Sequence, residues 1–518
     1  MQTQINRLSA LTSRLVGMPS ISPSNGESLI AGKIVNFFSR RGIQSSMIQI
    51  SDGRSNSFAF LPGQGGSSKT LLLFGHIDTV GIADYGALRQ FAFDPDKLKR
   101  ALIRENTETR AVEDLKTGNY LCGRGAFDMK SGVAIEMSVI EHLKQNPVNG
   151  NIIFFGTPDE ENGSAGMMEG LSFIREFASQ KGLEIVGAIN ADYTTERFPG
   201  DGSRYLYIGT IGKILPSFLI FGDVTHAGEV YNGISPNMIA AELVRQIELN
   251  VSLCDNAHGE VTQPPVALKM MDLKPKYDVQ TPLWAWVYFN MFTHSRSPEQ
   301  AMAKVEEQAI IAAKIVEARF MGSCYSYAKR SRSGLPGREF NISVIPFSRL
   351  LQGMEIDESA AGDEADPRER SRLIVQDLWL RSGIRSELSG PAIISFLSPP
   401  YYPHGSIDIQ EERTSVFVKA AISAARRNGL TIKHFYPYIS DNSYLRIPAD
   451  GANLGNLMPL WRRGYSIPLD DIAALNLPVV NIGPWGVDAH KRTERVFAPY
   501  SFGVVPKIME DVIRRTFK

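Results

Sequence analysis

Short apolar runs bounded by turn residues recur along the first half of the chain and once more near its end. They read SFAFLP, TLLLFGHIDTV, NIIFFG, IVGAINAD and LPVVNIGPWG. Each has the length of a β-strand, and such continuous apolarity is typical of strands in a sheet that is covered on both faces. Helical patterns such as DMKSGVAIEMSVIEHLKQ lie between them. The alternation predicts an α/β fold with a mostly parallel, mixed sheet sandwiched by helices.

A different order of elements begins near residue 212 and predicts an inserted domain. A strand-like segment is followed by the helix SPNMIAAELVRQIEL, the strand LWAWVYFNMF and the helix SPEQAMAKVEEQAIIAAKIVEARF. This order forms a β-α-β-α unit, which can bury a core of its own. We therefore expect an α+β insert at 212–347 and a main domain built from 1–211 and 348–518.

The charge balance bears on the class of partner. Lys plus Arg and Asp plus Glu both number 55, so the formal net charge is zero. Such a chain has no overall attraction for nucleic acid or an anionic membrane, which favours a small-molecule partner. No segment reaches the roughly 18 apolar residues of a membrane span, and the first residues lack the apolar region of a secretory signal. We expect a cytoplasmic protein.

The cysteines provide no disulfide framework or zinc knuckle. Cys122, Cys254 and Cys324 are odd in number, far apart in sequence and form no C-x-x-C pair. Buried thiols are the expected interpretation.

Three adjacent carboxylates, Asp159, Glu160 and Glu161, follow the apolar run NIIFFG. Burying such groups costs several kcal/mol each unless a cation or hydrogen bonds compensate. The stretch by itself is also compatible with a solvated acidic turn. Other polar residues at strand ends must decide between these alternatives.

Potential metal ligands follow three other predicted strands. His76 and Asp78 lie in TLLLFGHIDTV, where their i, i+2 spacing places both side chains on one side of an extended segment. An aspartate in that position can accept the second ring N–H of a metal-bound histidine. Asp192 follows another strand and His490 follows the last. Because ligands bind at the carboxyl ends of strands in open α/β sheets, the set predicts a metal site.

Asp128 lies in the glycine-rich turn GRGAFDMKSG, ahead of a predicted helix. A dinucleotide-binding turn would need a third glycine at this position, early in a βαβ unit. The sequence therefore disfavours a Rossmann site and adds one more carboxylate to the potential ligands.

In their order along the chain, these motifs resemble those of the zinc-dependent peptidase and amidohydrolase superfamily, which includes aminoacylases and carboxypeptidase G. HID matches its His-x-Asp, GRGAFDMKSG its Gly-x-Gly-x-x-Asp-x-Lys-x-Gly, EENG its Glu-Glu-x-Gly, and DAHKRTE its late Ala-His. The match covers about residues 10–500, including the insert. FNMFTHSRSPE and SPPYYPHGSID further resemble the RocB-type arginine-utilisation branch.

The resemblance implies a dinuclear metal site in the main, catalytic domain. Its five ligands would be His76, Asp128, Glu161, Asp192 and His490. Asp128 would bridge the ions, with His76 and Asp192 on one and Glu161 and His490 on the other. Zinc is the expected ion, although manganese and cobalt bind similar sets of ligands. Asp78 would orient His76, and Glu160 would be the general base.

The resemblance also assigns roles to the insert, which would be a lid and dimerisation-type domain. DVTHAGEVYNGISPN resembles a lid motif, and its His226 would stabilise the tetrahedral oxyanion. A turn-capping histidine is the alternative. Asn290 and Arg296 are candidates for binding a substrate carboxylate, and each is equally compatible with a surface position. The sequence is compatible both with a monomer and with a homodimer formed through the lid.

The function implied by the resemblance is hydrolysis of an amide in an N-acyl amino acid or small peptide-like substrate. Two alternatives are a catalytically silent relative that binds a small molecule or partner, and a dinuclear phosphoesterase. Glu160 and all ligand positions carry competent residue types, which disfavours the silent relative. The Glu-Glu pair and the late Ala-His favour an amide over a phosphodiester. Where many relatives have a Thr-Asp pair, this chain has SDNSYLR, so substrate contacts near Asp441 and Asn442 stay open.

Overall fold

The computed structural model describes residues 1–334, 340–388, 390–407, 412–447 and 454–518. The chain divides into two compact units. The first comprises Met1–Thr210, Gly405–Ile447 and Pro468–Lys518, and the second comprises Ile211–His404 and Pro448–Ile467.

The helices and strands are numbered in chain order. The helices are α1 (Gln2–Val16), α2 (Asn25–Ser39), α3 (Pro95–Glu105), α4 (Thr109–Lys116), α5 (Lys130–Gln145), α6 (Ala165–Lys181), α7 (Pro236–Ile247), α8 (Pro298–Ser331), α9 (Phe347–Leu350), α10 (Pro367–Arg381), α11 (Ile384–Glu387), α12 (Glu412–Arg427), α13 (Leu469–Leu475), α14 (Ala498–Gly503) and α15 (Val505–Thr516). The strands are β1 (Gln44–Gln49), β2 (Ser55–Leu61), β3 (Lys69–His76), β4 (Tyr120–Cys122), β5 (Asn151–Thr157), β6 (Glu184–Asn190), β7 (Tyr205–Ile208), β8 (Gly212–Phe221), β9 (Asn256–Ala257), β10 (Glu260–Val261), β11 (Val266–Asp272), β12 (Trp284–Thr293), β13 (Ser343–Pro346), β14 (Ala392–Tyr402), β15 (Thr431–Lys433), β16 (Val479–Asn481), β17 (Gly486–Val487) and β18 (Arg495–Phe497).

The first unit is built on an eight-stranded sheet in the order β1-β2-β5-β3-β6-β16-β7-β15. Its centre is parallel, since β3 pairs in parallel with β5 and β6, and β6 with β16. The pairs β1–β2, β2–β5 and β16–β7 are antiparallel, which makes the sheet mixed.

Helices cover both faces of this sheet. Leu71 and Phe154 belong to a core that includes apolar residues of α1, α2, α5 and α15. Phe155, the neighbour of Phe154 on β5, faces the other way and contacts Phe173 of α6. Because both faces are buried, the strands carry nearly continuous apolar sequence. The predicted α/β fold with a mostly parallel mixed sheet is confirmed.

A small three-stranded sheet, β17-β18-β4, belongs to the same unit. β18 pairs with β17 and with β4 in antiparallel fashion. It therefore brings the hairpin loop that carries His490 beside the segment that leads into the turn of Asp128.

The second unit contains a five-stranded sheet in the order β11-β12-β8-β14-β13. It extends beyond the predicted boundary at residue 347, because β14 forms antiparallel hydrogen bonds with β8. Helix α10, which we expect from the sequence to return to the main domain, instead buries Trp379 in a core with Phe221 and Trp284. The apolar contacts of 367–402 thus assign this stretch to the second unit.

Within the described part of the chain, no helix has both the length and the apolarity needed to span a bilayer.

Candidate metal centre

Parallel pairing brings several predicted ligands to one edge of the sheet. His76 at the end of β3 lies opposite Thr157 at the end of β5, and Phe74 lies opposite Asn190 at the end of β6. The residues that follow these strand ends, Glu160 and Asp192 among them, therefore gather at the carboxyl edge, where ligands bind in such sheets.

Asp128 reaches this edge from the turn before α5, and its two carboxylate oxygens face different imidazoles. Oδ1 lies 2.9 Å from Nε2 of His76, and Oδ2 lies 3.0 Å from Nε2 of His490. The same His490 nitrogen lies 3.0 Å from Oε2 of Glu161. His76, Asp128 and Glu161 each offer a ligand atom within 4.8 Å of the others. These residues could hold a metal ion.

Asp78 is fully buried and organises two parts of the site. Its Oδ1 lies 3.4 Å from Nδ1 of His76. The backbone N–H groups of Glu160 and Glu161 donate to its Oδ1 and Oδ2, at 3.2 and 3.1 Å. An Nδ1 proton directed at Asp78 leaves Nε2 of His76 free to bind a metal. Asp78 therefore holds the Glu160–Glu161 turn as well as facing the histidine.

The carboxylates of the site are buried with little positive charge. Burial raises the pKa of Glu160 well above its usual range, and repulsion from Glu161 adds to this rise. Burial and the negative charge of Asp128 raise the pKa of Asp192 to about 7. Among the described residues, Asp128, Glu160 and Glu161 form ion pairs only with His76 and His490.

The pKa values of the two histidines are raised as well, which favours their charged form. Hydrogen bonds to Asp128 and Glu161 raise the pKa of His490 to about 11. For His76, burial favours the neutral form, but Glu160 and Asp128 outweigh it and raise the pKa well above its usual range. In the metal-free cluster, bound protons therefore reduce the repulsion between the carboxylates. Divalent cations would reduce the same repulsion in their place. Its oxygen and nitrogen donors suit zinc, manganese or cobalt, so the residues fit a metal centre.

Asp441 is a further buried acid beside the site. Its Oδ2 accepts a 2.6 Å hydrogen bond from the hydroxyl of Thr157, and burial raises its pKa to about 7. Its negative charge contributes to the raised pKa of Glu160. Asp441 lies in a 3-10 helix at Asp441–Tyr444, and this irregular segment has no periodic pattern from which its position could be inferred.

One pair that sequence reasoning missed, Arg124 and Glu494, joins the Asp128 turn to the His490 loop. The backbone amides of Phe127 and Asp128 donate to Oε1 of Glu494, at 3.0 and 3.2 Å. Arg124 lies 2.7 Å from Oε2 of Glu494, and its Nη2 donates to the carbonyl of His490 at 3.3 Å. In the sequence, Arg124 lies within GRGAFDMKSG and Glu494 within DAHKRTE, and these positions inside the two motifs could have indicated a role for both residues.

The other candidate residues lie in the second unit. His226 is exposed, and its Nδ1 accepts a 3.0 Å hydrogen bond from the amide of Gly228. Arg296 donates to the carbonyl of Leu253 at 2.8 Å. Asn290 is half-buried on β12. Their substrate and oxyanion roles stay predictions.

Comparison with known proteins identifies the class. Residues 72–196 match the model of peptidase family M20/M25/M40. Protein RocB of Bacillus subtilis (strain 168) is 31% identical to this chain, over 97% of the chain and 94% of RocB. The chain therefore belongs to this peptidase family and is a hydrolase of the metallopeptidase type. Within the family it belongs to the RocB-type branch.

Solved structures show the same fold at low identity. A tripeptidase of Staphylococcus aureus subsp. aureus Mu50 superposes with a TM-score of 0.56 at 16% identity, covering 99% of this chain and 98% of the tripeptidase. YxeP of Bacillus subtilis, a dinuclear metal binding peptidase of the M20 family, superposes with a TM-score of 0.51 at 12% identity, covering 100% of both chains.

Proposed function

We propose that this protein hydrolyses an amide bond in an N-acyl amino acid or a small peptide-like substrate, with two divalent metal ions and Glu160 as general base. The observation that most directly supports this proposal is the position of the Asp128 carboxylate, whose two oxygens face His76 and His490 within a cluster of buried acids. The amide class is supported by family membership and by the tripeptidase and YxeP, which are peptidases.

The ligands divide between two ions. His76 and Asp192 would hold one ion, Glu161 and His490 the other, and Asp128 would contribute an oxygen to each. When bound, such ions acidify water and polarise a substrate carbonyl. Zinc is the expected occupant.

Glu160 acts on protons. Its backbone is held by Asp78, and burial makes its carboxylate more basic than a solvated glutamate. Such a group accepts a proton from the attacking water and delivers it to the leaving amine. In the second unit, we retain His226 as a hydrogen-bond donor to the developing oxyanion, and Asn290 and Arg296 as donors to a substrate carboxylate.

The resemblance of FNMFTHSRSPE and SPPYYPHGSID to the RocB-type arginine-utilisation branch supports a setting in amino-acid metabolism. Arginine utilisation, the role that this resemblance implies, is the first setting to test. N-acylated arginine and related basic amino acids therefore belong in a substrate panel, together with dipeptides and tripeptides.

The first experiment measures bound metal per chain after purification in zinc-containing buffer, for wild type and Asp128→Ala. We expect about two ions in the wild type and a collapse in the variant, because both sites lose a shared ligand. Well-folded wild type without stoichiometric metal would overturn the proposal. The loaded wild type is then offered N-acyl amino acids, peptides and a phosphodiester, and cleavage of the phosphodiester alone would reassign the reaction.

A further inference from the structure

We propose that Arg54 is a positioning residue of this centre, acting through Glu27 and Asp159 on the turn that carries Glu160 and Glu161. The inference rests on the proposed function, since the two glutamates take their roles from it. It also gives a role to Asp159, the first of the three adjacent carboxylates.

Arg54 precedes β2 and is buried among carboxylates from three segments. Its Nη1 lies 2.9 Å from Oε1 of Glu27 and 2.8 Å from Oδ1 of Asp159. Its Nε donates to Oδ2 of Asp52 at 2.8 Å. Arg54 is 7% exposed, Glu27 0% and Asp159 3%. Removing one partner of such a buried set leaves the other charges uncompensated, which is strongly destabilising locally.

Asp159 transmits this arrangement to the turn. Its backbone N–H donates to Oε1 of Glu27 at 2.9 Å, and its Oδ2 accepts from the amide of Ala165 at 3.1 Å. Its φ of +74° lies in the left-handed region, which a non-glycine residue adopts only when surrounding contacts hold it there. The Arg54–Glu27–Asp159 network therefore sets the direction in which the chain enters Glu160.

The turn is held from two sides. Asp78 accepts the amides of Glu160 and Glu161, while Arg54 and Glu27 hold the residue before them. Among the described residues, Arg54 forms hydrogen bonds and ion pairs with Glu27, but none with Glu160 or Glu161. Its influence must pass through Asp159, so Arg54 is a positioning residue and not a ligand or a base.

The consequence is selective for one of the two proposed ions. Glu161 belongs to the turn, whereas His76 is the last residue of β3 and Asp192 follows β6. Displacing the turn should weaken the site of Glu161 and His490 more than the site of His76 and Asp192.

The test titrates metal-free protein with zinc by calorimetry, using wild type, Arg54→Met and Arg54→Lys. In Arg54→Met we expect one of the two binding events to weaken by up to about 10-fold, because losing a direct outer partner of a metal ligand costs about 10- to 100-fold and Arg54 acts one residue further away, through Asp159. Arg54→Lys should recover part of this loss, because it restores the charge but not the planar fork.

Arg372→Met is the matched control. Arg372 is 9% exposed and donates to Oε2 of Glu369 at 2.7 Å in the second unit. It should lower the urea midpoint of unfolding while leaving both zinc affinities unchanged. Folded Arg54→Met that binds two ions with wild-type affinities would overturn the inference.

Asp159→Asn provides an independent variant if Arg54→Met does not fold. It removes the charge that Arg54 faces while preserving side-chain size, and we expect the same selective weakening. Wild-type zinc affinities in folded Asp159→Asn would overturn this inference but leave the proposed function standing. Absence of stoichiometric zinc in the wild type would overturn the proposed function and this inference together.

Discussion

Oδ2 of Asp128 lies 3.0 Å from Nε2 of His490, while Oδ1 of the same carboxylate lies 2.9 Å from Nε2 of His76. One side chain thus connects the turn before α5 with a β3 residue and with the β17–β18 loop. This relationship makes Asp128 the residue on which both proposed metal sites depend.

Glu160→Gln should separate metal binding from chemistry. Glu160 is proposed as a base and not as a ligand, so the variant should keep both ions while hydrolysis falls by about 10²- to 10⁴-fold. Glu161→Gln, one residue along the same turn, is the control and should lose metal as well as activity. Metal analysis and initial rates on the best amide substrate measure both effects. Undiminished hydrolysis by Glu160→Gln would remove this residue from the mechanism.

Asp78→Ala should weaken zinc binding in a protein that still folds. The aspartate faces His76 and accepts the amides of Glu160 and Glu161, and losing such an outer partner costs about 10- to 100-fold in metal affinity. Calorimetric titration of metal-free protein measures the change. The control is Asp471→Ala on helix α13, which removes a carboxylate that pairs with Arg175 of α6. Equal affinities in both variants would contradict the role of Asp78.

Zinc affinity should rise with pH. In the metal-free site the pKa of His490 is raised to about 11 and that of Asp192 to about 7, so both groups hold protons near neutrality. A cation that takes these positions must displace the protons, and their release becomes easier as the pH increases. Apparent dissociation constants at pH 6, 7 and 8 test the direction, and titrations in buffers of different ionisation enthalpy measure the released protons. A pH-independent affinity would contradict proton displacement.

Glu136 should make folding stability fall as the pH rises. It is fully buried on α5, and burial raises its pKa well above 4.5, with only partial compensation from the backbone of Phe74. The folded state therefore keeps a proton that the unfolded state releases above pH 4.5. Stability should decline above that pH by about 1.4 kcal/mol per unit until the folded-state pKa is passed.

Glu136→Gln should remove this slope, which urea unfolding between pH 5 and 8 measures. The variant should gain stability relative to wild type with increasing pH. Glu176→Gln, an exposed position on α6, should keep the wild-type slope. Parallel pH profiles for wild type and Glu136→Gln would show that the buried carboxyl does not titrate with folding.

The sequence alone predicts the α/β class, since apolar runs such as NIIFFG are strands that need helices on both faces. It also places His76, Glu161 and Asp192 at one edge, because residues that follow parallel strands meet there. These inferences depend on local patterns and on a rule of sheet geometry, both of which can be read along the chain. Zinc as the ion, and the individual roles of the site residues, stay predictions.

The remaining features depend on contacts between segments far apart in sequence. Because β14 pairs with β8, the chain up to His404 belongs to the second unit. The sequence of β14 contains no local pattern that indicates β8 as its partner strand. Nothing in the sequence around Arg54 or Asp441 indicates what each side chain contacts, yet folding buries Arg54 beside Asp159 and Asp441 beside Thr157. Only the tertiary structure decides such relationships, because burial and charge compensation arise when separate segments exclude water together.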